Sequence, residues 1–231
     1  MMIKHYLKVA FRNLAKYKVQ SIVSILGLAV GFVCFALSTL WIRYEMTYDT
    51  FHEGAERIYL VRAHYAHEPG KISNSTPYPL ADYLQKGNPE IEAMASTSVQ
   101  KVKFRVKDTE KDVVSAAADS VLMNFFNIRV LRGTVNFLKG TNGEIAITEE
   151  FSKRIFGEEE ALGREVEVSG HASKVGAIVS GWSSHSNIPY SILTSARHYT
   201  QWGSANENLF VRIRKGTNGE EFQKKIAALR I

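Results

Sequence analysis

The chain has 231 residues, 45% of them apolar, with five prolines and one cysteine. This supports one or two packed domains and excludes a disordered polymer. The net charge of +6 suggests nucleic acid until it is located: Lys4, Lys8, Arg12, Lys16 and Lys18 lie within residues 1–20 without an acid, which leaves 24 of the 29 bases against all 23 acids.

A basic excess set against an apolar run is a membrane-surface pattern, so membrane lipids are the expected partner and nucleic acid is not. Lys4, Lys8, Arg12 and Lys16 recur every four residues and form one stripe on a helix. Ile3, Leu7, Ala10, Phe11 and Leu14 form the opposite face. Such a helix lies in the membrane plane with its bases towards anionic headgroups. The plainer alternative is a cytoplasmic tail that obeys the positive-inside rule.

Ser21 to Ile42 carries no charge over 22 residues. At 1.5 Å per residue it spans about 33 Å, enough to cross a hydrocarbon core of roughly 30 Å. The rival is a cleaved signal peptide ending near Ala36-Leu37-Ser38. The long charged region before the run, and the apolar residues Trp41 and Ile42 after it, favour a retained anchor. The flank before it is purely basic and the flank after it mixed, which places residues 1–20 in the cytoplasm and 43–231 outside the inner membrane. Gly27 and Gly31 make a GxxxG pair suited to close helix packing, although glycine is common in such helices. Cys34 lies in the same run as a small hydrophobe; one cysteine excludes an internal disulfide and a cysteine-based zinc cluster.

Beyond the span the pattern becomes α+β. Arg57–His64 reads as a strand and Thr76–Lys86 as a helix stopped at Asn88-Pro89. Val102, Phe104 and Val106 alternate with Lys101, Lys103, Arg105 and Lys107, a half-buried strand whose basic face is either solvated or a docking surface. Asp108–Asp112 reads as a polar turn and Ser120–Phe126 as a helix. Glu144–Ile147 is a strand; Thr148 then caps a helix that ends at Gly157. Glu165–Val168 and Lys174–Val179 pair as a hairpin. Leu209, Val211 and Ile213 mark another strand. Thr217 and Glu220 form a capping box for a last helix with Phe222, Ile226 and Leu229 inward.

This order predicts a split β-α-β sheet of ferredoxin or porter type, formed by residues 55–107 and 207–231, with a mixed α/β insertion at 108–206. Such a sheet normally has one more strand after its last helix, so the chain reads as truncated.

No GxxxxGK[ST], HExxH or GxSxG motif occurs, and the chain is expected not to be an enzyme, with no cofactor. His64, His67 and Glu68 are a conceivable metal group, but a solvated loop cluster is the commoner meaning of that spacing. Ser184-His185-Ser186-Asn187 gathers polar groups in one loop, without the separate base and orienting group that a catalytic serine needs. No catalytic or metal residue is assigned.

The start LKVAFRNLAKYKVQSIVSILGLAVGF resembles that of ABC transporter permeases of the MacB/FtsX type, in particular the long forms of the Bacteroidetes kind. So do YEMTYDTFHEGAERIYLVR, TPYPLADYLQKGNPEIE, FFNIRVLRGT, AITEEFSKRIFGEEEALGREVEV and NLFVRIRKGTNGEEFQKKI. The likeness runs in order over essentially the whole chain. It implies a separate cytoplasmic ABC ATPase, a second permease chain and, in some systems, a periplasmic adaptor. It also implies a mechanical role: ATP-driven motion is transmitted to a periplasmic domain that moves a drug, peptide or lipoprotein. Members of that family have further transmembrane helices that this chain does not show. The alternative from another class is a single-pass, membrane-anchored periplasmic sensing or binding module.

Overall fold

The computed structural model describes residues 2–66, 68, 70–107, 109–182 and 185–229, with backbone alone at residues 2–4, 7, 8, 10 and 11. The chain forms two compact units, Met1–Tyr48 and Asp49–Ile231.

The first unit is two helices, α1 (Met2–Lys16) and α2 (Lys18–Met46). The break at Tyr17 (φ −107°, ψ 58°) involves neither proline nor glycine. The Ser21 hydroxyl bridges it, donating to the Leu14 carbonyl at 3.2 Å, one of the acceptors left over at the end of α1. Helix α2 outruns the uncharged segment at both ends because Lys18 and Arg43 continue a helix as well as apolar residues do. None of its residues is buried, and Leu28, Phe32, Phe35 and Trp41 are exposed on it. In water each such side chain would forgo about 1.5–3 kcal/mol of burial, so the solvent that suits this helix is lipid.

The second unit holds, in order, β1 (Ile58–Leu60), β2 (Ser75–Pro77), α3 (Leu80–Gly87), β3 (Ile91–Thr97), β4 (Val99–Val106), β5 (Thr109–Ala118), α4 (Ser120–Phe125), β6 (Val130–Gly133), β7 (Glu144–Thr148), α5 (Glu149–Phe156), β8 (Glu165–Val168), β9 (His171–Val179), β10 (Ile192–Ser195), β11 (Ala205–Ile213) and α6 (Gly219–Ala227). They make two sheets.

In the smaller sheet β11 is central. It pairs with β1 and β2 along one edge and β3 along the other, all antiparallel to it. Strands β1 and β3 therefore run the same way, joined through α3, with β11 between them. This is the split β-α-β arrangement the sequence predicts. On one face Leu209, Val211 and Ile213 pack with Leu80 and Leu84 of α3 and Phe222 of α6.

The larger sheet runs β9-β7-β10-β5-β4-β8 and returns to β9, with β6 added along β9. Six strands thus close a ring, which removes exposed sheet edges. All six contribute to its core, through Val102, Val113, Ile147, Val166, Val175 and Ile192 among others. Phe151 of α5 enters the same core and meets Phe104 edge to face, with centroids 5.0 Å apart. A third cluster joins the two sheets: Ala95 and Phe210 of the small sheet, Leu122 and Phe125 of α4, and Val179 and Leu193 of the ring.

Several elements differ from the sequence reading. The helix expected from Thr76 begins at Leu80, because Pro77 pushes the residue before it towards an extended conformation and β2 takes Ser75–Pro77. The strand expected over 57–64 is reduced to Ile58–Leu60. Residues 109–112, expected to be a turn, begin β5; Val106 faces Thr109, and the reversal lies between them with Lys107 at φ +50°. The strand Val99–Val106, grouped by the sequence with residues 55–107, belongs to the ring, pairing with β5 and β8. The last helix is capped by Asn218, whose side chain accepts from the Glu220 and Glu221 amides, rather than by Thr217. The cap at Thr148 is as expected: its hydroxyl accepts from the Phe151 amide at 3.2 Å.

Candidate functional site

Three polar constellations stand out in the second unit. The first is where the chain enters it. Asp49, three residues beyond the end of α2, has φ +56°. Its carboxylate accepts from Ser186 Oγ at 2.5 Å, Asn187 Nδ2 at 2.7 Å and the Asn187 amide at 3.2 Å. Its own amide donates to the His185 carbonyl at 3.2 Å. The loop that gathers serine, histidine and asparagine in the sequence is therefore a socket for an aspartate. Ser184 lies outside the described residues, as does His67; His64 is exposed, and Glu68 contacts Lys71 at 3.4 Å.

The second constellation is His198. Its Nδ1 lies 3.0 Å from the Glu207 carboxylate and its Nε2 3.2 Å from Asp119 Oδ2. Tyr78 stacks on the imidazole at 4.0 Å and 13°. Ser96 donates to Glu207, which is only 3% exposed. The hydrogen bonds with Asp119 and then Glu207 raise the His198 pKa to about 9, so the ring is charged at neutral pH. Burial opposes ionisation of Asp119, but hydrogen bonds from His198 and the Leu122 amide prevail and hold it below the usual carboxylate range.

The third is a cleft of about 1040 Å³. Its lining includes Arg57, Arg129, Arg212 and Arg214 together with His52, Phe126 and Trp182. Trp182 meets His52 and Phe126 edge to face at 4.8 Å each. Burial, with help from Arg212 and against Asp49, lowers the His52 pKa, so that ring is neutral in its aromatic surroundings.

Two members of the basic face of β4 are paired by neighbouring strands. Lys103 and Arg105 both reach Glu110, at 2.7 and 2.5 Å, and Arg105 also lies 3.5 Å from Glu167. The strand is paired on both sides, so its lysines do not guard an open edge. In the first unit Arg12 and Lys16 are exposed, whereas the Lys4 and Lys8 side chains lie outside the described residues. A Cβ at Gly27 or Gly31 would meet nothing within 4 Å.

Sequence reasoning missed the Asp49 socket, His198 and the cleft. Each joins residues far apart in the chain, and only Ser186 and Asn187 gave a local signal.

The fold has counterparts. A domain of a permease protein from Porphyromonas gingivalis superimposes with a TM-score of 0.61 at 18% identity, over 75% of this chain and 82% of that one. The extracellular domain of YknZ, a noncanonic ABC-type transporter from Gram-positive bacteria, gives 0.51 at 15% identity over 71% and 86%. The periplasmic region of MacB from Actinobacillus actinomycetemcomitans gives 0.51 at 12% identity over 73% and 79%. These identities speak for the fold alone. No curated protein sequence matches. The MacB-like periplasmic core domain matches residues 21–229, nearly the entire chain, and the chain accordingly belongs to that family of ABC transporter permease components.

Proposed function

We propose that this chain is the mechanical element of an ABC-type exporter, passing motion from a membrane helix to a periplasmic domain that moves a drug, peptide or lipoprotein. Residues 1–20 lie on the cytoplasmic side, with Lys4, Lys8, Arg12 and Lys16 at the headgroups. Gly27 and Gly31 pack against a neighbouring helix. A separate ATPase hydrolyses ATP; a second permease chain pairs with this one, and a periplasmic adaptor completes the path.

The observation that carries this reading is the Asp49 socket. A domain moved by its anchor needs a firm grip on the chain where that chain enters. Here four hydrogen bonds fasten one residue, just after the helix, to a loop 138 positions later. Displacement of the Asp49 backbone is then delivered to the 185–188 loop rather than absorbed by slack.

The test is the permease with its ATPase in lipid vesicles, with hydrolysis and transport read separately. Asp49→Ala is expected to lower substrate moved per ATP hydrolysed, and so are Gly27→Leu and Gly31→Leu. Changing His64 or His185 to alanine is expected to leave both nearly intact. Unchanged coupling in Asp49→Ala, with transport lost in a folded histidine variant, would replace transmission by a binding or catalytic site.

A further inference from the structure

We propose that the arginine-lined cleft binds a small organic anion, a phosphate or carboxylate borne on an apolar, ring-like body.

Charge is the first argument. Residues 21–231 are almost neutral, yet the cleft gathers five cationic side chains against Glu53 and Glu92. Arg57 answers Glu92 at 2.5 Å. Among the described residues Arg129, Arg212, Arg214 and Lys215 have no carboxylate partner. Two of them are nonetheless held in place. Arg212 donates to the Phe125 carbonyl and lies 4.4 Å from that ring's centre, and Arg214 Nε donates to the Pro89 carbonyl at 2.9 Å. Glu92 reaches Arg212 and Arg214 only at longer range, so the cations outnumber their counter-charges and form a ready anion site.

Unspent donors are the second argument. Trp182 Nε1, Arg212 Nε and Arg57 Nε are buried without a hydrogen-bond partner among the described residues, and all three residues line this cleft. The nearest carboxylate oxygen to Arg57 Nε is Glu56 Oε1 at 3.7 Å, beyond hydrogen-bond reach. An unpaired buried donor costs about 1–3 kcal/mol. Three such donors in one cleft call for a ligand rich in acceptors. Third, the half-buried Trp182 adds an aromatic surface to the lining, and the volume is at the upper end for a small-molecule site. Inorganic phosphate alone would leave that surface wet.

The ligand chemistry has two possible sources, a soluble molecule or a lipid headgroup, and one experiment separates them. The full chain carrying Trp41→Phe and Trp202→Phe, so that Trp182 alone fluoresces, is placed in phosphatidylcholine nanodiscs and titrated with phenyl phosphate. Saturable quenching is expected, weakened at least about tenfold by the exposed double variant Arg129→Glu/Lys215→Glu. Inorganic phosphate should bind more weakly than phenyl phosphate, and benzyl alcohol weaker still. In the second arm phosphatidylglycerol is added to the discs without phenyl phosphate. A signal there that the double variant abolishes assigns the anion to lipid. The proposal is overturned if neither anion perturbs Trp182, if the double variant binds like the parent, or if benzyl alcohol binds as tightly as phenyl phosphate. None of these readings involves transport, so failure here leaves the Asp49 argument untouched.

Discussion

Asp49 Oδ2 and Asn187 Nδ2 lie 2.7 Å apart, joining the first residue of the domain to a loop 138 positions further on. The aspartate also holds a left-handed backbone, which asparagine tolerates and alanine resists. Two substitutions therefore separate two effects. Asp49→Asn keeps the backbone preference and loses the charge on the hydrogen bonds, at a cost of about 1 kcal/mol; Asp49→Ala loses both, costing about 2–3 kcal/mol. Denaturant unfolding of the full chain in detergent, followed by near-ultraviolet circular dichroism, checks the order. Equal loss in the two would assign the effect to the charged hydrogen bonds and leave nothing to the backbone.

Stability should fall in alkali through His198. Its raised pKa contributes stability fully present below its ordinary 6.5 and lost as pH climbs through about 9. Asp119 acts at the other end: its lowered pKa gives stability that is present above its ordinary 3.8 and lost in acid. The alkaline loss should be about 2 kcal/mol after allowing for partial exposure. Unfolding midpoints between pH 6 and 10 measure it, and His198→Gln should flatten that slope. A slope unchanged in the variant would move its origin elsewhere.

Gly133 and Gly170 both have positive φ, +87° and +82°, but only one is confined. A Cβ on Gly133 would stand 2.3 Å from the Gly176 carbonyl oxygen and 2.9 Å from Ala177 Cα, both backbone atoms of β9. Gly170 sits in the two-residue turn between β8 and β9 with open space around it. Gly133→Ala should cost about 3 kcal/mol or more, and Gly170→Ala about 1 kcal/mol. Thermal unfolding of the two variants side by side decides it.

Membrane orientation is tested in whole cells. In a Cys34→Ala background, a cysteine at Lys107 should react with an impermeant thiol reagent and one at Lys8 should not. The reverse pattern would invert the assignment.

What the sequence revealed follows the range of the forces involved. The cap at Thr148, the alternation of Leu209, Val211 and Ile213, and the uncharged run before Arg43 are local signals, and each corresponds to an element of the structure. Strands β3 and β5 escaped notice for a physical reason. Ile91–Thr97 is paired along β11 and buried over its last four residues, so it lacks alternation. The first four residues of Thr109–Ala118 are exposed and charged or polar, so they resemble a turn. His198 gave no hint, because its two carboxylates lie 79 and 9 positions away on other elements.

The central position of β11 has a consequence for how the protein is made. Strands β1, β2 and β3 have no ladder with one another and depend on β11 for their pairing. During synthesis and export, residues 98–204 must follow before that partner exists. The ring, whose six strands all come from the intervening stretch, can close earlier. The domain should therefore mature from its middle outwards, with Ile91–Thr97 waiting as an unpaired, partly apolar segment until the end. The window for misassembly lies in that wait, before β11 arrives.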